Sequence, residues 1–252
     1  MRIAFLHLEY QTGKIEENRD LIVRAVKQAA DLNADWVLTP ECAVSGYFFN
    51  QLIGTDWIAE QPDAWIYEMM NLAKEKKVTL FLSTPEKYKN KFFNSALVID
   101  SQGRLCGCHR KHRVIGKAES WAKAGEELQI IICDKIKVGL LICADSYHLD
   151  KLEKLKEMGA NVIIVLAAWP NGVCGPGSCW EDSSLKVDLP VFVCNQTGNH
   201  VQLDFRSAES VVAFKGKRLL SCSLNNGAIL LFDWDFQNNE LISPDFIIMP
   251  FK

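Results

Sequence analysis

The chain has 252 residues, 48% of them hydrophobic, with 15 Gly and 8 Pro, which excludes a fibrous or disordered protein and leaves a globular fold with a sizeable core. Its 28 basic and 31 acidic side chains give a formal charge of −3, and no basic segment is long enough to track a phosphate backbone, so nucleic acid is not an expected partner. No stretch approaches the ~20 apolar residues of a membrane span, and the opening MRIAFLHLEY carries one basic residue and reads as a strand rather than a leader; a cytoplasmic protein is expected.

In chain order, the pattern predicts a strand at Ile3 to Leu8, then a helix from Asn18 to Asn33 with Leu21, Ile22, Ala25, Val26 and Ala29 on one face, then a strand at Trp36 to Thr39. A second helix, Ala64 to Lys77, leads into a strand at Val78 to Leu82. Phe93 to Ile99 follows as its partner, closed by the turn Asp100 to Gly103, and a hairpin carries Cys106 and Cys108. The middle repeats the scheme with strands at Gln129 to Cys133 and Lys137 to Ile142, a helix bearing Leu149, Leu152, Leu155 and Met158, and a buried strand at Asn161 to Leu166. The last third holds a helix near Trp180 to Asp188 and strands at Val191 to Asn195, Glu209 to Phe214, Arg218 to Ser221 and Ala228 to Phe232, with Gly216 turning a hairpin. Hairpins mixed with crossover helices point to two sheets, each covered by helices on its outer face. No linker of domain-separating length interrupts residues 1–252, so a single domain is expected.

The odd number of cysteines, nine, in a chain without a secretion signal argues for reduced thiols. Cys133 and Cys194 lie in apolar runs and read as core filler. Cys106 and Cys108 lack a second ligand pair at zinc spacing, so no metal is expected. No glycine-rich phosphate cradle is present, which removes dinucleotide and nucleoside-triphosphate chemistry, and Gly175-Pro-Gly177 reads as a loop.

In α/β folds chemistry gathers at the carboxyl ends of strands, and three places there carry polar groups: Glu41 after Trp36-Val-Leu-Thr-Pro, the basic trio His109-Arg110-Lys111, and Cys143 at the end of Val138-Gly-Leu-Leu-Ile. Each alone has an ordinary reading: a solvated or capping glutamate, a solvated basic face, a cysteine filling the core. A Cys143–His148 couple is a weak rival, because five residues across a strand-to-helix turn rarely face one another. His7 and His112 read as structural.

Together these segments match a known pattern. Pro40-Glu41 with Ser45-Gly46-Tyr47, Asn94-Ser95-Ala96, His109-Arg110-Lys111, and Ile142-Cys143-Ala144-Asp145 with Ala167-Ala168-Trp169-Pro170 resemble, in order and spacing, the signature segments of the nitrilase superfamily. Asn195-Gln-Thr-Gly198 and Phe205-Arg-Ser207 resemble it more loosely. The resemblance implies a four-layer αββα sandwich of two mixed sheets and a Glu-Lys-Cys triad at Glu41, Lys111 and Cys143. It adds a second glutamate, Glu119, followed by Trp121 and Gly125. It also implies a homodimer or larger homo-oligomer and no cofactor.

The chemistry accounts for the residue types. A thiol needs a base before it can attack, and a carboxylate acquires useful basicity only when burial and a second carboxylate raise its pKa. Glu41 would be that base with Glu119 as neighbour, while Lys111 and the Ala144 N–H would neutralise charge developing on the substrate. Tyr47, Ala144 and Trp169 are the candidate substrate-binding residues. The expected reaction is hydrolysis of a small carboxamide through a Cys143 thioester, preferred because the resemblance is strongest to short, amidase-like members. Nitrile hydrolysis, N-carbamoyl hydrolysis, acyl transfer and a non-catalytic scaffold are the alternatives.

The chain departs from the pattern in two places. After the cysteine, the family's aromatic, Asp, variable residue, Arg, aromatic, Pro and Glu become Ala144-Asp-Ser-Tyr-His-Leu-Asp150; after the lysine, a common His-Leu pair becomes Arg113-Val114. Both changes alter the expected pocket wall and entrance rather than the triad. The loops Phe48 to Trp57, Ile115 to Trp121 and Trp169 to Trp180 would shape the rest.

Overall fold

A computed structural model describes residues 1–172, 175–200 and 202–251. Among these residues, one sheet of eight strands and one of six face each other, with helices outside both. The first sheet is built from β1 (Arg2–His7), β2 (Trp36–Leu38), β3 (Thr79–Tyr88), β4 (Lys91–Ile99) and β5 (Leu105–Arg110), and the second begins with β6 (Ile130–Cys133), β7 (Ile136–Ile142), β8 (Val162–Leu166) and β9 (Val191–Cys194). β10 (Ser210–Phe214) and β11 (Lys217–Cys222) complete the second sheet, and β12 (Ala228–Asp235), β13 (Glu240–Leu241) and β14 (Ile247–Pro250) return to the first. The orders are β13-β12-β1-β2-β3-β4-β5, with β14 on β12, and β11-β10-β9-β8-β7-β6. Both sheets are mixed: β1, β2 and β3 run parallel, as do β7, β8 and β9, and the outer pairs are antiparallel.

Alternation along each strand sorts side chains between layers. Phe5, Trp36, Leu38, Phe81, Phe232 and Trp234 point between the sheets and meet Phe192 of β9, whose ring centroid lies 5.1 Å from those of Phe232 and Trp234, edge to face. Ala4, Leu6, Val37, Leu80 and Leu231 point the other way, under α1 (Ile15–Asp31) and, past the short α2 (Asn50–Ile53), α3 (Ala64–Lys76). α1 meets them with Ile22, Ala25, Val26 and Ala29, a stripe at helical spacing. The Asp63 side chain starts α3 by accepting from the Ile66 N–H at 2.9 Å. α4 (Leu149–Glu157) and α5 (Cys179–Val187) cover the second sheet through Leu152, Leu155, Trp180 and Val187. The result is the expected αββα sandwich.

The local differences from expectation have physical reasons. β3 runs on to Tyr88 although Ser83-Thr-Pro-Glu86 has turn-like composition, because β4 pairs with it residue for residue and the Ser83 N–H finds Thr39 Oγ1 at 2.9 Å. β13 and β14 were not foreseen, being two and four residues long and too short to show a period. Among the described residues, no helix is long and apolar enough to cross a membrane.

Candidate active site

The carboxyl ends of β2, β7 and β8 lie together, and each delivers one component. β2 ends in Pro40-Glu41; the Cys42 N–H then donates to Ser83 Oγ at 2.9 Å, and Cys42 itself turns the chain at φ 53°. Gly46 sits at φ +67°, where an added Cβ would lie 2.6 Å from the Thr12 backbone, so the Ser45-Gly46-Tyr47 turn requires glycine. β7 ends at Cys143, which opens a 3-10 turn, Cys143–Tyr147, at φ 46°. That backbone is unusual for a non-glycine residue, and strain of this kind concentrates at functional turns. β8 ends in Ala167-Ala168, and the Ala168 N–H donates to Glu41 Oε2 at 3.2 Å while also stabilising the Cys143 thiolate.

At the centre Lys111, fully buried, places Nζ 2.6 Å from Glu41 Oε1 and 2.7 Å from Glu119 Oε1. Asn94 of β4 donates its Nδ2 to the same two oxygens, at 2.8 Å each, and its carbonyl accepts the Lys111 N–H at 2.8 Å. Glu119 Oε2 accepts the Ile115 N–H at 2.7 Å. Gly125 N–H donates to the Lys111 carbonyl at 2.8 Å, and a Cβ there would fall 2.2 Å from the Arg110 carbonyl oxygen, so the strand carrying the lysine is clamped at a point only glycine fits.

Burial drives the electrostatics. It pushes Glu41 up to about 7, with Lys111 opposing and Glu119 adding to the rise. For Lys111 burial acts against the charge, but Glu41, Cys143 and Glu119 outweigh it and hold the ammonium well above its usual range. Burial also raises the Cys143 thiol, with Glu41 adding and Lys111 opposing. The ionisable groups of Glu41, Lys111 and Cys143 thus share one buried, mutually coupled environment.

All four sequence-predicted residues, Glu41, Lys111, Glu119 and Cys143, are brought into this cluster. Tyr47 is buried, and its phenol is pushed up by burial and by Glu41. Ala144 lies in the 3-10 turn next to Cys143. The Trp169 backbone is held by the Asn195 side chain, N–H to Oδ1 at 3.1 Å and Nδ2 to the Trp169 carbonyl at 2.9 Å. Its ring centroid lies 6.2 Å from that of Tyr147. Positions 173 and 174 of the loop from Trp169 to Trp180 lie outside the described residues.

The basic trio is not a solvated face. Arg110 forks onto Glu86 at 2.6 and 2.7 Å, Lys111 enters the cluster, and buried His109 bonds Asp145 Oδ2 through Nε2 at 2.8 Å. Asp145 is a functional candidate that sequence reasoning left without a role. Its Oδ1 accepts the N–H groups of His112 at 3.0 Å and Arg113 at 2.7 Å, tying the lysine loop to the cysteine turn. Burial alone would raise this carboxyl, but His109 and the Arg113 N–H hold it below the usual range. Asn94 is the other missed residue; an asparagine inside a buried apolar strand was the available signal. His148 bonds Arg113, and among the described residues no hydrogen bond joins it to Cys143, so the Cys–His couple gains no support.

Among the described residues no group of three or more His, Cys, Asp or Glu side chains is placed to hold a metal. A groove of about 930 Å³ along the edge strand β5 is lined by Tyr88, Phe93, Arg110, Lys123 and Glu127 and by none of the four clustered residues.

A family model described as carbon-nitrogen hydrolase matches residues 2–240. The chain belongs to that family. Among solved structures, this hydrolase superposes on the amidase from Nesterenkonia sp. AN1 with a TM-score of 0.84 at 22% identity, covering 95% of this chain and 92% of that one. Among curated relatives, a glutamine-dependent NAD(+) synthetase of Synechocystis is 26% identical over 278 residues, covering 98% of this chain and 49% of its own. A Schizosaccharomyces pombe protein named as a nitrilase is 24% identical over 250 residues, covering 94% and 89%. The carbon-nitrogen hydrolase described here spans about half the length of the NAD(+) synthetase it matches.

Proposed function

We propose that this carbon-nitrogen hydrolase cleaves a small carboxamide to a carboxylic acid and ammonia through a thioester on Cys143. The observation that carries the reading is the buried convergence of Lys111 Nζ on both Glu41 and Glu119, at 2.6 and 2.7 Å, beside a cysteine held in a left-handed turn. In a glutamate-to-glutamine mutant of the amidase from Nesterenkonia sp. AN1 the acetamide moiety of fluoroacetamide is covalently added at the active-site cysteine, and a cysteine-to-alanine mutant of that enzyme is in complex with butyramide; the first supports a nucleophilic cysteine here and the second an amide as ligand.

Glu41 takes the Cys143 proton as sulfur attacks the amide carbon, its raised pKa making it a stronger base than an ordinary carboxylate. The oxygen that becomes negative is met by the Lys111 ammonium and the Ala144 N–H, a class of interaction whose single donors are worth about 3 to 4 kcal/mol of barrier. Protonated Glu41 returns its proton to the departing nitrogen, which leaves as ammonia. It then draws a proton from the water that cleaves the thioester, releasing the acid and restoring the thiol. Glu119 and Asn94 hold the lysine and the base in place. Tyr47 and Trp169 wall the substrate.

The same reading has residues 1–252 act as one domain, in the cytoplasm, as a homodimer or larger homo-oligomer; light scattering on the purified chain tests the assembly. Ammonia release from parallel sets of amides, nitriles and N-carbamoyl compounds tests the reaction. Release from amides that disappears in Cys143→Ala is expected, and activity confined to nitriles or carbamoyl compounds overturns the amide assignment.

A further inference from the structure

The two sheets meet along a side where each ends in an edge strand, β5 in the first and β6 in the second. Three contacts cross between these edges in antiparallel order. The Cys108 carbonyl accepts from the Gln129 side chain. Gly107 lies so close to Ile131 that an added Cβ would sit 2.6 Å from its Cδ1. The Cys133 thiol then donates to the Cys106 sulfur. Just past Cys133, Asp134 Oδ2 accepts from Trp36 Nε1 at 2.8 Å and from Thr79 Oγ1 at 3.0 Å, so the turn that follows is tied to the first sheet as well.

A bulge brings Cys106 to this place. β5 pairs with β4 at Val98 and Gly107 and next at Ile99 and Leu105, which leaves Cys106 as the extra residue, and a bulge re-aims the side chain it carries. On an unbroken strand Cys106 would share the face of Cys108. Instead Cys108 packs with Leu105 toward the helices outside the first sheet, its sulfur 3.7 Å from Glu86 Oε2, while Cys106 meets the cysteine of the opposite sheet.

The paired thiols are unlike. Cys106 is exposed and lines the groove of about 930 Å³ along β5. The bond from Cys133, helped by Arg104, holds its thiol below the usual range against burial and Asp100. Cys133 is buried, and its thiol is pushed up by the bond it gives to Cys106 and by burial. Cys108 is no rival nucleophile, because burial and Glu86 push it up to about 12. An accessible, readily ionised thiol beside a sheltered one is the arrangement in which the first is oxidised and the second resolves it.

We propose that Cys106 and Cys133 form an oxidation site for hydrogen peroxide and small organic hydroperoxides, closing to a disulfide that staples the two sheets together. The Cys106 sulfur takes the terminal peroxide oxygen: an S–O bond forms as the O–O bond breaks, and water or an alcohol leaves. The Cys133 sulfur then displaces hydroxide from that sulfenic acid; the S–S bond forms as the S–O bond breaks, and the Cys133 proton departs with the hydroxide as water. Sulfur is oxidised and the peroxide reduced. The bridge joins β5, which runs on to Lys111, to the β6–β7 hairpin, which ends at Cys143, and it stands whichever carbon–nitrogen bond the centre cleaves.

The test treats the reduced full chain briefly with hydrogen peroxide, blocks remaining thiols with N-ethylmaleimide in denaturant, and reads unreduced peptides by mass spectrometry. A peptide pair joined through Cys106 and Cys133 is expected, reversible by dithiothreitol and formed before oxidation of half-buried Cys222, whose thiol burial raises. The oxidised chain melts about 5 °C or more above the reduced one. Cys106→Ser abolishes the bridge and the melting shift and leaves Cys133 a thiol, Cys133→Ala lets Cys106 pass on to sulfinic acid, and Cys108→Ser keeps both bridge and shift. A Cys106–Cys108 bridge, a bridge between two chains, Cys106 sulfinic acid beside an unchanged Cys133 in wild type, or Cys222 oxidised ahead of Cys106 overturns the site; an internal bridge without a rise in melting temperature overturns the staple.

Discussion

The centre and the rim of this site are built on opposite terms. At the centre, Glu41, Asn94, Lys111 and Glu119 are buried, come from separate stretches of chain, and join through contacts of 2.6 to 2.8 Å. At the rim, Arg113 and Tyr147 are exposed neighbours of His148, with the Arg113 N–H bonded to Asp145 and the Tyr147 ring beside Trp169. Buried charges are tolerable only when every one is paired, so no member of the centre can change alone, whereas the rim exchanges residues at little cost to folding. The proposed reaction chemistry belongs to the first region, and the second is free to vary around it.

The comparison breaks most visibly at the nucleophile. Cys143→Ala is expected to lower amide turnover by a factor on the order of 10⁴ or more while retaining the thermal transition of the wild type, as followed by ammonia release and calorimetry. Lys111→Met tests the centre as a structural unit: removing the cation leaves two facing carboxylates and is expected to cost about 3 to 5 kcal/mol by denaturant unfolding, with activity lost alongside. A variant that unfolds at wild-type denaturant concentration would show that the centre is not a mutually dependent cluster.

Glu41→Gln is expected to lower turnover by about 10² to 10⁴, and in the parent enzyme kcat/KM should rise with pH through about 7, the value to which burial lifts this carboxyl. The stability arm has a definite sign. Because the folded value lies above the ordinary glutamate value of 4.5, Glu41 contributes most to stability below 4.5 and loses that contribution as pH rises through about 7. Unfolding compared at pH 5 and 8 should show this fall in wild type and a flatter response in Glu41→Gln.

The link between the two regions is Asp145. Asp145→Asn removes the charge that His109 and two N–H groups address and is expected to cost about 1 to 3 kcal/mol, with a smaller loss of turnover than Glu41→Gln. The gentlest change is at the rim, where Arg113→Ala should alter unfolding free energy by about 0.5 kcal/mol or less. A cost equal to that of Lys111→Met would erase the distinction between centre and rim.

Much of the centre was legible before any coordinates. Glu41 and Cys143 stand where apolar strands end, and the resemblance to the nitrilase superfamily implied Lys111 and Glu119. Asn94 and Asp145 were visible as letters in those segments but not as contacts, because Asn94 reaches Glu41 across 53 positions of chain and Asp145 reaches Arg113 across 32; only the closed sandwich makes them neighbours. The departures at Arg113 and Tyr147 were legible only as two unrelated changes, and the fold brings them together, with the Arg113 guanidinium carbon 5.9 Å from the Tyr147 ring centroid. In the fold, the long periodic elements were readable, while α1 starts at Ile15 without a capping side chain to mark it and β13 and β14 are too short to carry a pattern.

The central claim is that Cys143 forms a covalent acyl intermediate. Intact-protein mass spectrometry after brief mixing with small amides, wild type beside Cys143→Ala, measures it directly. The account expects an added mass equal to the acyl group on the wild type, absent from the variant; ammonia release without any dependence on Cys143, or an adduct that persists in Cys143→Ala, would contradict it.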